Sequence, residues 1–148
     1  MVSRKNFVFD LDGTLCNCAH RLHFIEKKPK RWDLFIKGIE DDTPYDDVVF
    51  LAQTFKDLGH NIIICTGREA TGKDATVDWL IKHRVQFDGL YMRGIRDYRP
   101  DYVVKPELGN TIQTDFGKIF MVFEDRTQVV DAWREMGIRC MQVTNGNY

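Results

Sequence analysis

Residues 5–14 read Lys5-Asn6-Phe7-Val8-Phe9-Asp10-Leu11-Asp12-Gly13-Thr14. The apolar run Phe7-Val8-Phe9 is short and stops at an acid, as a buried parallel strand does when its carboxyl end opens onto a site. Asp10 and Asp12 stand two residues apart, so they share one side of the chain if the strand persists. Two carboxylates at the carboxyl edge of such a sheet invite a cation. Taken alone, Asp12-Gly13 reads rather as a turn and Asp10 as a strand-end cap, so the rest of the chain has to decide.

Outward from that stretch, the chain alternates strand and helix. Pro44 is expected to open a helix after Thr43, with Val48, Val49, Leu51, Ala52 and Phe55 at helical spacing until Gly59 ends it. The β-branched run at 61–65 predicts a second strand ahead of Thr66-Gly67. A helix with Val77, Leu80 and Ile81 on one face follows, then a short strand at 90–92, a polar loop and the segment Val103-Val104-Lys105. The last third predicts a strand at 118–123, a helix at 127–136 with Val129, Val130 and Trp133 facing inward, and a final strand at 139–143. Strands alternating with helices predict an α/β fold around a parallel sheet. Only residues 16–42 break the rhythm, and they read as a small lid with a short helix at 32–36. No repeat, low-complexity tract or linker divides the chain, so residues 1–148 are expected to form one domain.

Composition excludes more than it identifies. The 148 residues are 43% hydrophobic and 29% charged, near the average of globular chains, and 21 basic against 22 acidic residues name no partner. The basic amino terminus meets Phe7-Val8-Phe9 and then Asp10, so neither a signal-peptide core nor a membrane span is expected, and a cytoplasmic location follows. Four cysteines, Cys16, Cys18, Cys65 and Cys140, are too few for a disulfide scaffold, which predicts reduced thiols. Cys16 and Cys18 have no second ligand pair at zinc spacing, although His20 and His23 are near. Residues 67–73 imitate a phosphate-binding loop until Asp74, where a Ser or Thr hydroxyl would be needed.

Asp10-Leu11-Asp12-Gly13-Thr14 resembles the first motif of the haloacid dehalogenase superfamily of phosphotransferases, DxDGT. Thr66 at the end of the next strand, Lys105 at a helix and the acidic pair Glu124-Asp125 after a strand match the other three motifs in order. The resemblance implies a Rossmannoid three-layer α/β sandwich with a central parallel sheet and a minimal cap insertion. It further implies Asp10 as a nucleophile, Asp12 as a proton-transfer group, Thr66 and Lys105 on the phosphoryl oxygens, and magnesium (Mg2+) held by Asp10, Asp12, Glu124 and Asp125.

More specifically, the chain resembles the 3'-phosphatase domain of phage-type polynucleotide kinases over most of its length. The residues that carry this are Thr66-Gly67-Arg68-Glu69, Asp101 with Val103-Val104-Lys105, and the ending Asp125-Arg126-Thr127-Gln128-Val129-Val130 with Trp133, Gly137, Cys140 and Gln142. Position by position, it implies substrate contacts at Thr14, Arg21, Gly67, Arg68 and Asp101. Permanently charged planar donors such as Arg21 and Arg68 suit a terminal phosphate. Nucleic-acid 3'-ends of DNA or RNA are the implied partners, and a separate kinase or ligase partner is compatible with them. Nothing resembling a kinase domain precedes Asp10, so 5'-kinase activity is not expected.

Two stretches interleave basic and aromatic residues: 21–37, with Lys27, Lys28, Lys30 and Arg31 around Phe24 and Trp32, and 91–105, with Arg93, Arg96 and Arg99 beside Tyr98 and Tyr102. A nucleic-acid strand would use both kinds of group, and solvated helix faces would look the same. Two other functions stay open at this point. One is a nucleotidase or other small-molecule phosphatase with the same chemistry; the other is a non-catalytic nucleic-acid-binding module that keeps the fold.

Overall fold

The computed structural model describes residues 3–148. In chain order its first half holds β1 (Asn6–Phe9), β2 (Cys16–Asn17), α1 (His23–Glu26), α2 (Trp32–Lys37), β3 (Thr43–Pro44), α3 (Asp46–Asp57) and β4 (Asn61–Glu69). The second half holds α4 (Lys73–Lys82), β5 (Gly89–Arg93), α5 (Asp101–Phe116), β6 (Ile119–Glu124), α6 (Thr127–Glu135) and β7 (Cys140–Gln142). Five strands form one sheet in the order β5-β4-β1-β6-β7, and every neighbouring pair is parallel. The expected parallel α/β sheet is therefore present, with β1 at its centre.

Alternation along the strands builds the two cores. Phe7 and Phe9 of β1 and Ile62 and Ile64 of β4 face the side packed by Val48, Val49 and Ala52 of α3 and Trp79 and Leu80 of α4. Val8, Ile63 and Cys65 face the opposite side, against Ile112 of α5 and Val129, Val130 and Trp133 of α6. The result is three layers, helix on sheet on helix. Gly109 of α5 lies so close to the Trp133 ring that a Cβ there would collide with it. A glycine and Pro106 inside one helix argue locally against the 16-residue α5, and packing against α6 overrides them.

Three local expectations need correction. Pro44 does not open α3: Thr43–Pro44 pair antiparallel with Cys16–Asn17, and the helix starts at Asp46 after the Tyr45 N–H bonds to Leu15 O at 2.8 Å. This ribbon closes the insertion at its base, so residues 16–42 form a compact cap. Ile81 does not join the buried face of α4; it is exposed, and Thr76, Trp79 and Leu80 are the buried positions. Counting aliphatic residues alone missed that Trp79 lies in that row, where its indole N–H donates to the Asp42 carbonyl at 2.9 Å. The second strand runs past residue 65 to Glu69, and its pairing with β5 jumps from Thr66↔Met92 to Glu69↔Arg93. Gly67 and Arg68 are the extra residues of this bulge, which re-aims the strand end as bulges do beside sites. Among the described residues, no helix is long and apolar enough to cross a membrane.

Candidate active site

The carboxyl ends of β1, β4 and β6 meet at one floor. Asp10 follows β1 directly, its N–H bonded to Phe123 O at 3.0 Å. The chain then turns on the Leu11 carbonyl, which accepts from the amides of Thr14, Leu15 and Cys16 at 3.0, 2.9 and 3.1 Å. Gly13 takes φ +87°, and a Cβ there would collide with the Asp125 carboxylate, so both backbone and space demand glycine. Thr14 is wholly buried and donates its hydroxyl to Asp10 Oδ2 at 3.0 Å. Lys105, one turn into α5, donates to Asp10 Oδ1 and to Glu124 Oε2, both at 2.7 Å.

Burial, reinforced by repulsion from Glu124, raises the Asp10 pKa well above the usual carboxylate range against the opposing pull of Lys105. Burial likewise raises Glu124. Burial alone would lower Lys105, but Asp10 and Glu124 outweigh it and the ammonium is held charged. Asp10, Glu124 and Asp125 each offer an oxygen within 4.8 Å of the others. Two of these three carboxylates share the one lysine, and Asp125 Oδ1 is buried with no hydrogen-bond partner among the described residues. Its other oxygen accepts from the Tyr148 hydroxyl. An excess of buried negative charge with an unclaimed oxygen fits a hard divalent cation.

Asp12 faces away from that cluster into a network of arginines. Arg68 grips it with Nε to Oδ2 at 3.0 Å and Nη2 to Oδ1 at 2.6 Å, and Arg21 Nη2 reaches the same Oδ1 at 2.7 Å. Burial pushes the Asp12 pKa up, but Arg68 and then Arg21 overcome it and hold the carboxyl well below its ordinary range. Behind them lies Asp42, which accepts from Arg21 at 2.8 Å through each oxygen and from Arg68 Nη2 at 3.2 Å. Arg68 also donates to the Thr76 hydroxyl at 3.0 Å. Asp12, Cys16 and Asp42 lie within 4.8 Å of one another, but the arginines already neutralise that group.

A sequence model of the polynucleotide kinase PNKP phosphatase domain matches residues 4–148. The chain belongs to the PNKP phosphatase domain family. Two chains from structures of a Pnkp1/Rnl/Hen1 complex, one described as an RNA repair complex, are 31% and 30% identical to it, each with a TM-score of 0.78. They cover 98% of this chain, which spans only 47% and 44% of theirs. The haloacid dehalogenase-like protein SP0104 from Streptococcus pneumoniae is 18% identical with a TM-score of 0.69, covering 96% of this chain and 85% of its own. The class C acid phosphatase from Bacillus anthracis is 16% identical with a TM-score of 0.70, covering 99% and 69%. These more distant likenesses share the haloacid dehalogenase fold.

In this PNKP phosphatase domain, a cleft of about 910 Å³ stands over the floor. Asp10, Asp12, Thr66, Gly67, Arg68, Asp101, Lys105, Glu124 and Asp125 all line it. Thr66 is buried, and its oxygen accepts the Arg68 N–H at 3.1 Å. Asp101 packs on Gly67, where a Cβ would collide with its carboxylate, and it pairs with Arg93 and with Arg126 Nη1 at 3.3 Å. Thr14 and Arg21 do not reach the cleft; both are fully buried behind its wall. Reading the sequence alone missed Asp42 and Tyr148 and gave Thr76 no role. Asp42 sits in Asp41-Asp42-Thr43-Pro44, which locally reads as a polar turn, and no motif spacing marks it.

Proposed function

We propose that this domain is a magnesium-dependent phosphomonoesterase that removes 3'-phosphate from polynucleotide ends through an aspartyl-phosphate on Asp10. The observation that carries the chemistry is the meeting of Asp10, Lys105, Glu124 and Asp125, with Thr66, on one floor. Membership of the family carries the substrate class.

Asp10 attacks phosphorus, forming a carboxyl oxygen–phosphorus bond as the ester bond breaks. The leaving oxygen takes its proton from Asp12. In the second half, Asp12 as carboxylate takes a proton from the water that attacks phosphorus and frees Asp10. Arg68 and Arg21 favour the ionised Asp12 that this second half needs. An incoming phosphate dianion reverses the bias, because it competes for Arg68 and brings negative charge that raises the proton affinity of Asp12. Lys105 and the Thr66 hydroxyl hold phosphoryl oxygens, and Arg21 acts from behind by orienting Asp12.

Magnesium would be held by the carboxylates of Asp10 and Asp125 and the Asp12 backbone carbonyl, with Glu124 on a coordinated water. When bound, it supplies the charge neutralisation that lets a carboxylate approach a phosphate dianion. Asp101, Gly67 and Arg68 form the wall against the esterified sugar. Four free cysteines fit a reducing, cytoplasmic setting. The Pnkp1/Rnl/Hen1 assembly of its relatives supports a kinase or ligase partner for this chain.

The test is phosphate release with magnesium from a 3'-phosphorylated oligonucleotide, a 5'-phosphorylated one and a panel of mononucleotides. Strong preference for the 3'-end supports the reading. Faster release from mononucleotides replaces it with a nucleotidase, and no release from any substrate leaves a binding module.

A further inference from the structure

The floor described above takes up a phosphoryl group, yet the cleft over it, about 910 Å³, lies near the top of the range of small-molecule pockets, about 300–1,000 Å³. Its two lips come from the two basic-aromatic stretches of the sequence, which lie some sixty residues apart and converge only in the fold. The cap contributes Lys30 and Trp32, and the loop at 94–100 between β5 and α5 contributes Arg96 and Tyr98.

Both lips are built to display rather than to bury. Trp32 is 50% exposed, braced edge-on against Phe35 at 5.7 Å, with the Lys30 ammonium 5.6 Å from its ring centre. On the opposite lip, Arg93 donates to the carbonyls of Asp97 and Arg99, and Arg99 pairs with Asp97 and Glu107 at 2.8 and 2.7 Å. That framework fixes the path of the loop. Tyr98 is left 85% exposed with no aromatic partner, and Arg96 with no ion pair, among the described residues. Two exposed large rings, one on the cap beside the Lys30 ammonium and one on an anchored loop that also carries the unpaired Arg96, suit a ligand that offers flat faces and regular negative charge.

We propose that these lips form a track for single-stranded polynucleotide, in which Trp32 and Tyr98 stack bases upstream of the terminal phosphate while Lys30 and Arg96 neutralise their backbone. The track deepens the reading above and rests on it. A duplex end presents paired, stacked bases to such rings and should engage them poorly.

Trp79 and Trp133 are each 1% exposed, so Trp32 is the tryptophan that a ligand can reach. The Asp10→Asn protein with magnesium is titrated with a 3'-phosphorylated single-stranded hexanucleotide, its blunt duplex and a nucleoside 3'-monophosphate, following tryptophan fluorescence and anisotropy. The single strand should bind tightest and quench the fluorescence, and Trp32→Phe should abolish the quench while keeping most of the affinity. Trp32→Ala with Tyr98→Ala should weaken the hexanucleotide about tenfold or more, with folding checked by circular dichroism. Arg96→Ala should lower the salt slope of binding by about one.

Equal affinity of the double variant and its parent for the hexanucleotide, or a mononucleotide that binds as tightly as the hexanucleotide, overturns the track. If the wild-type protein still releases phosphate from the hexanucleotide in that case, the polynucleotide reading survives without it. Binding and quenching with no phosphate release by the wild type overturn the reading and, with it, the placing of the bound bases upstream of a reacting phosphate. Neither binding nor release overturns both.

Discussion

Arg21 and Asp42 meet as a planar pair: Nε and Nη2 of the guanidinium each donate at 2.8 Å to a different oxygen of the carboxylate, and neither side chain is exposed. Arg21 lies near the start of the cap insertion and Asp42 at its end, so their pairing ties the two ends of the cap together. The same guanidinium reaches Asp12, and Asp42 also bonds Arg68, so the anchoring of the cap and the placement of Asp12 are one network. Bidentate, charge-assisted pairs of this kind are the strong and geometrically specific ones.

Removing Asp42 leaves two buried guanidiniums sharing one carboxylate. Breaking one partner of a buried pair costs about 3–5 kcal/mol. Asp42→Ala should therefore lower the thermal midpoint by about 6–20 °C, measured by calorimetry. Asp42→Asn should lose less, because it keeps the shape and one acceptor. A midpoint unchanged in both would show that the network stabilises nothing.

Asp10→Asn should abolish phosphate release while the thermal midpoint stays close to that of the wild type, since the amide keeps the shape and sheds a buried charge. Asp12→Asn should also lose turnover, by loss of proton transfer. Rapid-quench analysis should find Asp12→Asn able to form a phosphoprotein from a substrate with a good leaving group, and Asp10→Asn unable to do so. An active Asp10→Asn protein would sink the mechanism.

The metal cluster predicts a pH-dependent response to magnesium. Asp10 and Glu124 have folded-state pKa values raised above the unfolded values of about 3.9 and 4.3. A raised acid favours the folded state below its unfolded pKa, and that contribution is lost as pH rises through the folded pKa. The metal-free protein therefore carries more carboxylate strain as pH rises, and a divalent cation held by these carboxylates would relieve it. At a hundred times its dissociation constant, magnesium should raise stability by about 2.7 kcal/mol. That corresponds to a midpoint about 5–10 °C higher at pH 7.5, with a smaller shift at pH 5. Equal shifts at both values in a thermal melt would contradict the cluster.

Gly13→Ala tests the turn that leaves room for the Asp125 carboxylate at the floor. Alanine at φ +87° costs about 1–2 kcal/mol, and its methyl group would displace the Asp125 carboxylate. The variant should fold with a modestly lower midpoint and lose most of its stabilisation by magnesium. Full retention of the magnesium shift would mean that Asp125 does not hold the ion.

The end of β1 was readable from the chain because the end of a buried strand is a local event. Phe7-Val8-Phe9 running into Asp10 marks where β1 meets the site, whereas β4 carries on past Thr66 to Glu69 through a bulge that the local pattern does not show. The misreadings have local causes as well. Ile81 looked like core because aliphatic spacing ignores Trp79, and Pro44 looked like a helix start because pairing with Cys16 leaves no trace nearby.

By itself, the sequence determined the α/β alternation and set Asp10, Thr66, Glu124 and Asp125 at strand ends, since parallel strands bring their carboxyl ends to one edge whatever the details of packing, while Lys105 on α5 was marked by the family resemblance alone. Tertiary structure alone decided that Arg21 lies inside the wall rather than on the cleft, that Asp42 is its counter-ion, and that Trp32 and Tyr98 line one cleft. A buried charge needs a partner at hydrogen-bond distance but at no particular sequence separation. Arg21 found its partner 21 residues away and Arg68 found Asp12 at 56, and only the folded chain could choose them.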